Sequence, residues 1–170
     1  MAGQFAFDSV HHFGAASIGE PGNRFFFLII GGDDGWVRVW MEKEQLRALA
    51  DGFGELLTRV AGEPTLSPQS PVPAEPPSAP LLGEFLVARL AVGYDADRDA
   101  IVLLAHANDS ENDDEPTLAC RATKEQAALL TSQAIAVCDA GRPVCTMCQE
   151  PIDPSGHLCP KSNGHRRTGL

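Results

Sequence analysis

Three cysteines near the end of the chain are spaced to hold a metal ion. In Cys145-Thr-Met-Cys148-Gln-Glu-Pro-Ile-Asp-Pro-Ser-Gly-His157-Leu-Cys159-Pro, two thiols stand three residues apart and a third follows beyond a turn. A Cys-x2-Cys step forms a knuckle in which the amides after the first thiolate turn toward sulfur, and two soft ligands so close suit tetrahedral Zn²⁺. Asp153-Pro-Ser-Gly156 is a hairpin turn that brings the chain back. His157 and Cys159, two apart on the returning strand, share one face. The expected site is therefore Cys145, Cys148, His157 and Cys159 around one Zn²⁺. His165 competes for the fourth position, because Cys159-x5-His165 is also a workable spacing. Four protein ligands leave no open coordination position, which makes such a zinc structural rather than hydrolytic. So short a segment has too little apolar content to fold without its metal.

Other candidates for chemistry are weaker. His11 and His12 precede Phe13 near the start of the first strand, and adjacent strand residues face opposite sides, so only one of them can serve any single site. His106 ends a strand beside the acidic loop from Asn108 to Glu115, where a histidine and a carboxylate would suit acid–base work. That loop carries five carboxylates in eight residues, yet it lacks the mid-loop glycine of a helix-loop-helix calcium site and runs into a strand. It reads as a solvated connection. No glycine-rich phosphate loop, nucleophile elbow or helical zinc-protease motif occurs, and no catalytic residue is assigned.

The elements that position these residues belong to an ordinary globular chain. Its 170 residues are 44% hydrophobic and 21% charged, which fits one domain with an appendage. A net charge of −10 argues against nucleic acid or an anionic membrane as partner, since phosphate binding needs a basic footprint. The longest apolar run, Phe25 to Ile30, has six residues against the roughly 18–20 that span a bilayer. The N-terminus has no basic segment followed by an apolar stretch, and the expected location is the cytoplasm. In a reducing compartment, three of five cysteines clustered together read as metal ligands rather than disulfides.

Seven of the thirteen prolines lie between Pro64 and Pro80, which marks residues 63–81 as a linker and predicts a solvated spacer. Splitting the chain there exposes a repeat: Lys43-Glu44-Gln45 and Lys124-Glu125-Gln126 stand 81 residues apart at matching strand-to-helix junctions. Val37, Val39 and Met41 alternate before the first junction, as Leu118, Cys120 and Ala122 do before the second. Apolar residues then recur at helical spacing, and Thr123 with Gln126 has the form of a capping box. Strands are predicted over 13–18, 24–30 and 36–41 in residues 1–62, and over 84–93, 100–107 and 117–122 in residues 82–141. The expected fold is α+β: duplicated β-β-β-α units forming antiparallel sheet with two helices and pseudo-twofold symmetry, followed by a zinc-binding tail over 142–170.

The tail pattern, together with the Phe7-Asp8 start and the Arg24-Phe-Phe-Phe strand, resembles an actinobacterial family of uncharacterised proteins across the whole chain. Members of that family sit in a conserved gene trio with a phosphomutase-like protein of the histidine phosphatase type and a kinase-like protein. The resemblance supplies no reaction; it implies His157 rather than His165 as ligand. Two functions follow as expectations. The first is a zinc-stabilised, non-catalytic protein-interaction or regulatory module that binds a protein partner. Residues 145–170 carry three basic and two acidic side chains, a balance of only +1, so nucleic acid is not the expected ligand. The alternative is an enzyme or accessory subunit in phosphate-group metabolism, with His11, His12 or His106 as the acid–base residue.

Overall fold

A computed structural model describes residues 3–20, 23–61, 72–108, 115–140, 145–148, 152 and 159–161. The elements are β1 (Phe5–Phe7), β2 (His12–Glu20), β3 (Asn23–Gly32), β4 (Gly35–Met41), α1 (Lys43–Ala61), β5 (Leu81–Asp95), β6 (Ala100–Ala107), β7 (Leu118–Ala122) and α2 (Lys124–Asp139). The class is α+β, as expected, with one seven-stranded sheet in the order β1-β7-β6-β5-β4-β3-β2 and two helices. Among the described residues no helix is long and apolar enough to cross a membrane.

The sheet is mixed, which corrects the antiparallel expectation. Within β2-β3-β4 and within β5-β6-β7 every pair is antiparallel, but β4 runs parallel to β5, and β1 runs parallel to β7. The cause is the connection. After β4 the chain passes through α1 and returns to the same end of the sheet, so the next strand must run in the same direction.

The two three-stranded units pair comparable residues. Ala15 lies opposite Leu28 and Leu28 opposite Val39; Val92 lies opposite Leu103 and Leu103 opposite Cys120. The two glutamines of the shared tripeptide behave alike. Gln45 Oε1 accepts from the Glu42 amide at 2.9 Å, and Gln126 Oε1 accepts from the Thr123 amide at 2.8 Å. Gln45 Nε2 donates to the Val87 carbonyl at 3.4 Å, and Gln126 Nε2 donates to the Val10 carbonyl at 2.8 Å.

The sheet curls around its helices. The Val10 amide donates to the Arg121 carbonyl of β7, while the next amide, that of His11, donates to the Gly31 carbonyl of β3. Adjacent residues thus touch strands at opposite ends of the sheet order. Phe5 of β1 also faces Gly83 of β5, where a Cβ would stand 2.6 Å from the ring. Inside the curl, Leu28, Ile30, Val37, Val39, Leu103 and Leu118 meet the apolar faces of α1 and α2. Phe13 and Phe53 pack edge to face at 6.0 Å. Thr123 closes a full capping box with Gln126 at the start of α2.

The proline-rich segment is not simply a solvated spacer. Residues 72–80 lie across the outer face of the first three-stranded unit, where Phe27, Ile29 and Trp36 form a second buried cluster with Ala74 and Ala79 packed on it. The Ala74 amide donates to the Ala15 carbonyl at 3.0 Å, and Trp36 Nε1 donates to the Ala79 carbonyl at 3.0 Å. Proline lacks an amide, so the segment bonds through its non-proline residues: Ala74 donates its amide and Ala79 accepts at its carbonyl. Residues 62–71 lie outside the described residues.

Gln126 joins a helix cap to the segment that closes the curl, so its loss should be costly. Gln126→Ala is expected to lower stability by about 1–3 kcal/mol, read from the urea midpoint. Gln45→Ala, whose bond to Val87 is longer, should lose less. Equal midpoints for both variants and the wild type would contradict this role.

Candidate metal centre

Beyond α2 the chain forms a turn over 146–148, and a second short turn follows Cys159. Together they bring the Sγ atoms of Cys145, Cys148 and Cys159 within 4.8 Å of one another. Zinc–sulfur bonds of about 2.3 Å place tetrahedral sulfurs about 3.8 Å apart, so these thiols need close only slightly to share an ion. Cys145 is the innermost, with 8% of its surface exposed.

The knuckle prepares a thiolate. The amides of Cys148 and Met147 donate to the Cys145 sulfur, and the Cys148 and Cys159 thiols add to their effect. These bonds outweigh burial and hold the Cys145 thiol down to about 6. A sulfur ionised near neutral pH, flanked by two more at ligand spacing, is the donor set a soft divalent ion requires. The described residues therefore fit a metal, with three ligands in hand. His157 and His165, the two candidates for the fourth position, lie outside the described residues.

The other two cysteines have a different environment. Burial pushes the Cys120 thiol up to about 12, and it likewise raises Cys138. Both belong to the central core, where a protonated thiol packs as a small hydrophobe.

The histidines are dispersed. His11 Nδ1 lies 2.6 Å from Asp33 Oδ1 at an exposed site, and His12 is half-buried opposite Gly31. His106 is buried in β6 with Arg89 Nη2 3.4 Å from its Nδ1. The partner seen for His106 is thus a guanidinium; residues 109–114 of the acidic loop lie outside the described residues. Neither Asp33 nor Arg89 was legible as a histidine partner, because one contact joins the residue before β2 to the β3–β4 turn and the other crosses from β5 to β6, and no local pattern sets either pairing. The amides of Met147 and Cys148, by contrast, follow directly from the Cys-x2-Cys spacing.

A family profile described as "Protein of unknown function (DUF3090)" matches residues 5–159, and the chain belongs to that family. No curated protein and no solved structure matches the chain.

The thiol environments predict selective chemistry in metal-free protein. Cys145 should react with iodoacetamide at a rate that is half-maximal near pH 6 and flat above about pH 7, while Cys120 stays inert in the folded state. Mass-spectrometric mapping of alkylated cysteines checks this. A Cys145 inflection near pH 9 would show that the amides do not support the thiolate.

Proposed function

We propose that this member of the DUF3090 family is a non-catalytic protein-interaction or regulatory module whose C-terminal segment is stabilised by one Zn²⁺. The observation that carries the reading is the convergence of Cys145, Cys148 and Cys159 within 4.8 Å, with two amides donating to the first sulfur. His157 is the fourth ligand. The family match takes in His157 and ends at Cys159, leaving His165 beyond it. Zinc in such a set supplies cross-linking rather than chemistry, because no coordination position is left for water or substrate. Its role is to cross-link Cys159 to the Cys145–Cys148 knuckle and so fix the shape of a segment poor in apolar residues.

The same reading takes the core as two duplicated β-β-β-α units, within residues 5–62 and 82–140, with β1 an extra strand ahead of the first. The matched registers and the paired roles of Gln45 and Gln126 support it. A protein is the partner class favoured. The net charge of −10 repels phosphate backbones and anionic lipid, and Lys161, Arg166 and Arg167 add too little local charge to reverse that.

Elemental analysis should give one zinc per chain, lost in Cys148→Ser and in His157→Ala but kept in His165→Ala. The core should hold its urea midpoint in all three. Affinity purification from native cells should recover a protein partner with the wild type and not with Cys148→Ser. Partner recovery that ignores zinc would contradict the proposal. Turnover of a phosphorylated metabolite by the pure protein, abolished by His106→Ala or His12→Ala, would replace it with the enzyme reading.

A further inference from the structure

β5 is paired along different edges in its two halves. Residues 81–86 pair with β4 on one edge, and residues 87–95 pair with β6 on the other. The β4 pairing ends at Leu86, so among the described residues no strand continues along that edge from 88 onward. α1 runs beside it, close enough that a Cβ on Gly52 would stand 3.7 Å from Val92 Cγ2. Between them runs a groove of about 340 Å³ lined by Gln45, Ala48, Gly52, Ala88, Leu90 and Val92.

The corresponding place in the other half is filled. There β2 presents its outer edge to α2, and residues 72–74 of this chain occupy the gap. The Ala15 carbonyl accepts from the Ala74 amide at 3.0 Å, and the Ala15 amide donates to Gln133 Oε1 at 3.2 Å. Gln133 Nε2 in turn donates to the Val72 carbonyl at 3.0 Å. The shared register puts Val92 where Ala15 stands. The 81-residue spacing of the tripeptide puts Gly52 where Gln133 stands. Phe13 and Ala15 are buried in the core, whereas Leu90 and Val92 are only half-buried. Antiparallel ladders alternate, so Val92, like Ala15, turns both its amide and its carbonyl away from its paired strand and into the gap.

We propose that this groove takes an extended peptide segment of a partner protein, laid along residues 88–92 of β5 as residues 72–74 lie along β2. The occupant is a single strand with a small residue opposite Val92, its amide donating to the Val92 carbonyl. Main-chain bonds along an exposed edge supply affinity, and the space above Gly52 selects the side chain that enters. A second copy's β5 is disfavoured as occupant, because the α1 of that copy would meet this chain's α1. The inference rests on register and groove geometry rather than on zinc, so the variants that remove the metal leave it standing.

The test uses the isotope-labelled full chain, titrated with the capped hexapeptide Val-Pro-Ala-Glu-Pro-Pro, the sequence of residues 72–77. Saturable shifts are expected at the amides of Gly52 and residues 88–92, with Ala15 and Gln133 unmoved. Gly52→Phe, which fills the groove, should weaken binding by roughly tenfold or more. Gly52→Leu serves the same end should the larger side chain disturb the helix. Gly52→Gln, which restores an amide at the Gln133 position, should tighten binding. Absence of shifts at millimolar peptide, equal affinity in the filled variants, or shifts confined to Ala15 and Gln133 would each overturn the proposal. Shifts at residues 88–92 produced by raising protein concentration alone would assign the groove to a second copy and overturn it too.

Discussion

Residues 8–11 join β1, at one end of the sheet, to β2, at the other. From Phe7 to His12 the backbone reaches at most about 18 Å, whereas the end strands of a flat seven-stranded sheet would lie about 29 Å apart. The sheet must curl by enough to remove that difference. The curl creates an enclosed concave face, and α1 and α2 are the elements that fill it. Without the short span, the helices would cover only part of an open sheet and the core would lose its continuity.

The polar contacts at the closure are consistent with this constraint. Val10 gives its amide to β7 and its carbonyl to Gln126, so neither of its backbone groups is left unbonded at the junction. Arg121 ties Asp8 of the closing segment to Asp95 at the end of β5. The guanidinium is largely buried between the two carboxylates, and Asp95 is held below its usual range chiefly by Arg121 and the Arg98 amide against the cost of its desolvation. The thiol cluster lies beyond α2, after the last of these contacts in the chain. That order sets the cluster apart from the contacts that close the core.

Much of this was legible in the sequence, and what was not has a common cause. Period-two alternation located six strands, and helical spacing with the Thr123 cap located α2 within its observed bounds. The cysteine cluster was legible because thiols spaced as candidate ligands lie close in sequence and so can converge in space. β1 was missed: three residues cannot display a period, and its partner strand is more than a hundred residues away. The parallel seam between β4 and β5 is likewise a product of where α1 returns the chain, which no window of local sequence records. Gln133, a polar residue of α2, is buried where residues 72–74 pass over it, a contact that no local pattern records. Long-range pairing decided each of these cases, and propensity is silent about it.

The central claim concerns what the three thiols hold, and zinc K-edge absorption on the purified full chain addresses it most directly. The account predicts one zinc with three sulfurs at about 2.3 Å and one nitrogen at about 2.0–2.1 Å. A shell dominated by oxygen, a set of four sulfurs, or protein that retains no zinc while its three C-terminal thiols stay reduced would contradict it.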